Sequence, residues 1–163
     1  MNNNIVNDDT ERNAISETLE SFLVDRLKYS KKKTHFTIRQ LDGKTKCFTS
    51  FFAGRSSIGK PNEFYIRFGE HGYKKANSKY IIVARLSFHH RNKGHGTAFL
   101  KYLCLFGEKF DYEFLEIECP NSDCRAFMKK IGFKDQLYLS ILELKQSIQT
   151  YEAQKLTRIE NKK

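Results

Sequence analysis

YIIVARLSFHHRNKGHGTAFLKYLCLFGEK, residues 80–109, changes its period halfway along. The first part, Tyr80 to Phe88, is an apolar run that passes into alternation through Arg85, Leu86, Ser87 and Phe88. β-Branched and aromatic residues dominate it, so it reads as a strand. After Gly94-His95-Gly96 the apolar residues Phe99, Leu100, Leu103, Phe106 and Phe110 recur at helical spacing. The unit is therefore strand, glycine-rich turn, helix, with Thr97 and the first-turn amides at the helix start. Such a turn suits a phosphate. The first amides of a helix have no partner inside it and lie at the positive end of its dipole. Glycine removes the Cβ that would keep an anion away. Arg91 and Lys93 add charge at the same rim. A plain helix entry that contains two glycines is the competing reading.

Three phosphate-binding patterns compete. The dinucleotide fingerprint needs Gly-x-Gly-x-x-Gly directly after the strand; here Phe99 occupies the third glycine position and His89–Lys93 intervene. Gly54-Arg55-Ser56-Ser57-Ile58-Gly59-Lys60-Pro61 has P-loop spacing. Pro61, however, stands where a hydroxyl should hold magnesium, and Glu63–Phe68 reads as a strand rather than a helix. The third pattern fits. Arg91-Asn92-Lys93-Gly94-His95-Gly96 resembles the [Q/R]-x-x-G-x-[G/A] signature of the GNAT acetyltransferase superfamily. Leu115–Asn121 resembles that family's fifth strand and following Asn, and Asn121 to Ile131-Gly132-Phe133 its next helix. The resemblance covers Tyr80 to Lys134, about a third of the chain.

Composition bounds the rest. The 163 residues suggest one domain, 39% hydrophobic and 29% charged, as is ordinary for a globular protein. No apolar run reaches the length of a membrane span, and the polar opening Met1–Asp9 is unlike a secretory signal, so a cytoplasmic protein with no membrane partner is expected. Cys47, Cys104, Cys119 and Cys124 form no Cys-x-x-Cys pair and read as reduced, mostly buried thiols; a zinc set of Cys119, Cys124 and His89 or His90 has poor spacing. No metal is expected. The net charge of +10 implies an acidic partner: a phosphorylated coenzyme, nucleic acid or an acidic protein. Its bland counterpart is a solvated basic surface.

In chain order, residues 1–10 read as a flexible lead, with Asp8, Asp9 and Thr10 ahead of a helix over Glu11–Tyr29. Thr34–Leu41 and Lys44–Ala53 read as a hairpin about Asp42-Gly43. Gly54–Asn62 is a loop, Glu63–Phe68 a third strand, Gly69–Ser78 a polar connection and Lys79–Phe88 the fourth strand. A fifth strand lies about Leu115–Glu118, and a helix runs from the Pro120–Asp123 cap to Gly132. Gln136–Leu144 reads as a sixth strand or a helix start. From about residue 143 an amphipathic helix and tail follow, packed on the sheet or paired with a second copy as a homodimer.

The order is α+β. The resemblance implies a mixed sheet with antiparallel N-terminal strands, a fourth strand splayed from a parallel fifth, and flanking helices. It implies an N-acetyltransferase that binds acetyl-CoA, with Lys93, Gly94, His95, Gly96, Thr97 and Arg91 at the pyrophosphate, Leu86 and Phe88 along the pantetheine, and Asn121 at the coenzyme arm. The acceptor would be an amine on a small molecule, a protein or an aminoacyl-tRNA. Two of the family's proton-transfer positions differ here: Met128 replaces a Tyr, and Lys79-Tyr80 stands where a Glu is common. Glu118 and Tyr80 are the substitutes taken forward, with Glu116, His89 and His90 behind them. A catalytically silent module of the same fold and a basic nucleic-acid-binding protein are the alternative functions.

Overall fold

The computed structural model describes residues 8–34, 36–40, 48–55, 61–70 and 78–161. Helix α1 (Asp8–Asp25) leads through a 3-10 turn at Lys31–Lys33 to strands β1 (Thr37–Gln40), β2 (Phe48–Arg55), β3 (Pro61–Glu70) and β4 (Lys79–Ser87). Then come α2 (His95–Lys109), β5 (Phe114–Ile117), α3 (Ser122–Lys130), β6 (Tyr138–Ser140) and α4 (Ile141–Glu160). The strands form one open mixed sheet in the order β1-β2-β3-β4-β5-β6. Each neighbouring pair is antiparallel except β4 and β5, which are parallel.

Alternation along the strands decides which face is covered. Phe64, Ile66 and Phe68 of β3, Ile81 and Val83 of β4, and Leu115 and Ile117 of β5 join one buried cluster. Ile15, Leu19, Phe22 and Leu23 of α1, Phe99 to Phe106 of α2, and Ile141, Leu144 and Ile148 of α4 complete it. Phe22 is fully buried, with ring centroids 4.9 Å from Phe99 and 6.1 Å from Phe64. The intervening strand residues, among them Arg67, Tyr80, Phe114, Glu116 and Tyr138, belong to the opposite face.

The element boundaries correct the sequence reading in four places. Asp8, Asp9 and Thr10 lie inside α1 rather than before it, and α1 ends at Asp25 because the chain reverses at Lys28, whose φ is 60°. The first strand is shorter than Thr34–Leu41, since Lys31–Lys33 form a 3-10 turn and Thr34 closes it. β3 is longer than Glu63–Phe68: Gly54 pairs with Asn62 and Arg55 with Pro61, so both ends of the expected loop are strand. The tail is a short strand followed at once by a helix. Its switch is a capping box in which Ser140 Oγ accepts from the Glu143 amide at 3.2 Å and Glu143 Oε2 accepts from the Ser140 amide at 3.0 Å. The Asp42-Gly43 turn lies outside the described residues.

One buried polar cluster ties α1 to the middle of the sheet. Glu11 is 3% exposed. It accepts the Tyr112 hydroxyl at 2.6 Å and pairs with Lys79 Nζ at 3.1 Å. Lys79 also donates to the Phe110 carbonyl at 2.7 Å and lies 4.4 Å from the centre of the Tyr112 ring. The start of β4, the α2–β5 connection and the first turn of α1 are thus fixed together. Breaking such a pair leaves a charge without its partner. Glu11→Gln is expected to lower stability by about 3 kcal/mol, read as a shifted midpoint of urea unfolding with unchanged slope.

The described cysteines are free and unequal: Cys104 is buried, Cys124 half-buried and Cys119 exposed. Burial pushes the Cys104 thiol up to about 12, with Glu108 adding to the shift and Lys145 opposing it. Iodoacetamide at pH 8 should therefore modify Cys119 well before Cys104, as read by peptide mass mapping.

Candidate functional site

β4 has two different neighbours, and they treat it differently. Along β3 it pairs to its end, with one irregularity: Tyr65 opposes Arg85 and Ile66 opposes Val83, which makes Ala84 the extra residue of a bulge. Along β5 it pairs only from Tyr80↔Phe114 to Val83↔Ile117. The Glu118 amide donates to the Val83 carbonyl at 3.0 Å, and the ladder stops there. Ala84–Ser87 continue with β3 alone, so their β5-facing backbone edge lies where the two strands part.

Beyond β4 the chain turns through His89–Lys93 into α2. Gly94 is the N-cap, at φ 75° and ψ 12°, and it offers no side chain to cap the helix. Its carbonyl accepts the Ala98 amide at 3.0 Å, the first intrahelical bond. Among the described residues, none of the His95, Gly96 and Thr97 amides is given to a protein acceptor. The left-handed backbone at Gly94 would cost about 1 kcal/mol with any other side chain, and a Cβ there would lie 3.3 Å from Arg26 Nη2. At Gly96 a Cβ would meet the Phe127 ring at 3.0 Å, so the missing side chain is what lets α3 close on the first turn of α2.

The turn is held by side chains from other elements. Arg26, just past α1, donates to the Lys93 carbonyl at 2.7 Å. Arg91 pairs with Asp123 in the first turn of α3 at 2.8 Å; with both side chains more than 70% exposed, that pair adds little stability. The His89 amide donates to Asn62 Oδ1 at 2.9 Å. Arg91 and Lys93 point their charge to solvent, Gly94, His95 and Gly96 are half-buried, and Thr97 is buried.

His95 sits at the positive end of α2, its ring 5.6 Å from Phe88. Burial holds its pKa below the ordinary value, and the neighbouring charges of Arg26, His90 and Lys93 add to the shift. The side chain facing the open amides is therefore a neutral imidazole through a wider pH range than a free histidine.

The remaining expected site residues are spread over the sheet. Leu86 and Phe88 are half-buried against the core, Phe88 packing on Phe64 at 5.5 Å and Phe22 at 6.1 Å. Asn121 is the N-cap of α3, its Oδ1 accepting the Cys124 amide at 2.9 Å. Glu118 lies just past the last β4–β5 bond and pairs with Arg67 of β3 at 2.5 Å. Tyr80 lies at the other end of that ladder, 2% exposed and stacked on Phe114 at 4.9 Å. Strand rise alone separates the Tyr80 and Val83 levels by about 10 Å, so the fold does not bring Tyr80 and Glu118 together. Met128 is buried, at 3% exposure. Glu116 is buried beside the strand junction, and the His89 and His90 rings meet edge to face with centroids 4.4 Å apart. No group of three or more His, Cys, Asp or Glu side chains among the described residues is arranged to hold a metal.

Sequence reasoning missed Arg67, Asn62, Tyr29 and Arg26. Each reaches the site from an element remote in the chain, and only the paired register brings it there. Two clefts lie elsewhere. One of about 420 Å3 is bounded by Arg12, Asn13, Phe36 and Ile38. The other, of about 370 Å3, is bounded by Glu108, Tyr112, Phe114 and Leu142. No described helix is long and apolar enough to cross a membrane.

The histidine provides a direct check. Its folded pKa lies below its unfolded one, so the unfolded chain takes up the proton first and stability falls as pH drops below about 6.5. In a 1H–13C titration the His95 ring is expected to show a midpoint below that value, and ADP at millimolar concentration is expected to raise it by placing negative charge at the turn.

Comparison of the chain with protein-family models, with curated proteins and with solved structures returns no match.

Proposed function

We propose that this chain is an N-acetyltransferase of GNAT-like architecture that uses acetyl-CoA. The observation that carries this reading is the juxtaposition at the end of β4: a strand leaving its parallel neighbour, followed by a basic glycine turn whose helix amides are not engaged by the described residues. The two halves suit the two ends of one ligand. The amides of His95, Gly96 and Thr97, with Arg91 and Lys93, hold the diphosphate. The open backbone edge of Ala84–Ser87, with Leu86 and Phe88, takes the amide-bearing arm as an added strand would. Asn121, whose Oδ1 is used as the α3 cap, keeps its amide nitrogen as a donor for the arm.

The chemistry is direct acyl transfer. The acceptor amine reaches the thioester from the sheet face that carries Glu118 and Arg67, opposite α2. Its nitrogen forms the new C–N bond at the carbonyl carbon, and a β4 amide stabilises the oxyanion. The C–S bond then breaks and the sulfur leaves as thiolate. Attack by the neutral amine leaves one excess proton on the nitrogen of the tetrahedral adduct; Glu118 Oε1 is held by Arg67, which leaves Oε2 to take that proton. That proton is the one the departing thiolate needs, so the reaction balances without a second acid. This removes the difficulty posed by Met128. Tyr80, stacked on Phe114, has a packing role in this scheme.

The Arg67–Glu118 pair and the apolar Met128 also favour a second reading, in which the module binds the coenzyme without turning it over. The nucleic-acid reading has less support, because Phe22, Phe64, Phe68, Phe99 and Phe133 are all core residues and unavailable to stack on bases.

Titration calorimetry with acetyl-CoA is expected to give a dissociation constant of tens of micromolar or below; no heat at that level overturns both coenzyme readings. A panel of primary amines, followed by release of free thiol, separates the two. On the transferase reading Glu118→Gln lowers kcat about 100-fold while coenzyme affinity stays within twofold. Binding with no thiol release from any amine supports the silent module.

A further inference from the structure

The stretch that directs the chain out of the sheet and toward α2 rests on a side chain that the proposed chemistry does not use. Asn62, on β3, is 6% exposed. It sits in a directional chain of hydrogen bonds. Tyr29 Oη donates to the Gly54 carbonyl at 3.2 Å, Asn62 Nδ2 donates to Tyr29 Oη at 2.6 Å, and the His89 amide donates to Asn62 Oδ1 at 2.9 Å. The orientation of the amide group is fixed by chemistry. A backbone N–H can only donate, so the oxygen of Asn62 must face His89 and its nitrogen must face Tyr29.

The place of this chain in the sheet gives it a task. The last β3–β4 pair is Glu63↔Ser87. Continued in register, His89 would oppose Pro61, which has no N–H to exchange. The ladder therefore ends, and the Asn62 side chain takes the next main-chain donor in place of a strand. His89 is the first residue of the turn that carries Arg91, Lys93 and the open α2 amides. The other end of the same turn is tied by Arg26 at the Lys93 carbonyl.

We infer that Asn62, oriented by Tyr29, is a positioning residue. It fixes where β4 exits the sheet and so sets the approach of the 89–94 turn to the N-terminus of α2. It touches neither coenzyme nor acceptor. The inference rests on the turn being the coenzyme seat only for its consequence in binding; its structural content stands by itself.

The test therefore reads two things. Hydrogen exchange of the free protein, followed by NMR, reports the His89 amide and residues 91–97. Calorimetry and steady-state kinetics report acetyl-CoA. Asn62→Leu keeps the volume and removes both polar atoms. It is expected to speed exchange at His89 by tenfold or more, and to weaken acetyl-CoA by about tenfold with kcat at saturating coenzyme within twofold. Tyr29→Phe keeps the acceptor for His89 and removes only its orienting partner, so a smaller loss of about threefold is expected. Ile148→Val, a core change in α4 far from the turn, controls for lost stability and should leave both readings alone. A folded Asn62→Leu protein with unchanged exchange at His89 and 91–97 overturns the inference whether or not the wild type binds acetyl-CoA. Faster exchange at His89 in Asn62→Leu, with a wild-type protein that binds no acetyl-CoA, retains the positioning role and removes the transferase reading.

Discussion

A strand inside a sheet normally has both edges bonded, because main-chain donors and acceptors away from water are costly to leave unpaired. β4 breaks that rule over half its length. Its β3 edge is bonded throughout, at the expense of a bulge at Ala84, while its β5 edge ends at the bond between the Glu118 amide and the Val83 carbonyl. Two features force the parting. β5 is short, and Cys119, at φ 46°, turns the chain away toward α3. The remaining backbone of Ala84–Ser87 leads through the 88–94 connection to the α2 amides that the described residues do not engage, and the proposed ligand would satisfy both sets of polar groups.

A loop that binds an anion through its own amides cannot use those amides to hold its shape. The 89–97 segment resolves this by being fixed from outside. Asn62 holds its entry, Arg26 its carbonyl at Lys93, and Asp123 the side chain of Arg91, while the Phe127 ring covers Gly96. The two buried or main-chain ties carry more weight than the exposed Arg91–Asp123 pair, in which a bound phosphate and Asp123 would compete for the same guanidinium. The result is a turn whose shape depends on its neighbours rather than on its own amides.

How much of this was legible in the sequence follows from the range of each interaction. The strand, turn and helix of residues 80–109 were readable because period and glycine placement are local, and so was the parallel β4–β5 order once a helix separated two strands. The basic turn was recognisable from Arg91-Asn92-Lys93-Gly94-His95-Gly96 for the same reason. The Ser140–Glu143 capping box was present in the sequence as Ser-x-x-Glu, yet the apolar run Leu137–Leu144 masked it, which left strand and helix undecided there. The extension of β3 back to Pro61 was hidden because a proline after a glycine-rich run signals a loop, whereas on the antiparallel register it simply faces Arg55. The tethers were not legible at all. Tyr29, Asn62 and His89 are far apart in the chain, and nothing in their spacing says that Gly54↔Asn62 pairing puts them in one line. Tyr80 and Glu118 show the reverse failure: both lie near the β4–β5 pair in sequence, but at opposite ends of it in space.

The charge balance closes the account of the site. A chain of net charge +10 invites an electrostatic explanation of function, yet two acids near the strand junction are paired with arginines: Glu118 with Arg67, two strands over, and Glu63 with Arg85 on the adjacent strand. Glu63 also raises the Arg85 pKa through that bond. On this face the charges are matched and directional. At the turn, by contrast, the cations Arg91, Lys93 and Arg26 lie near the start of α2 with a neutral His95 among them, and Asp123, the acid paired with Arg91, is itself exposed. The two sides of the sheet therefore differ in kind. One gathers exposed cations at a helix start; the other holds carboxylates paired with arginines near the end of β5. On the proposed reading the diphosphate would meet the basic turn and the amine the carboxylate face, whereas a nucleic-acid surface would use only the turn.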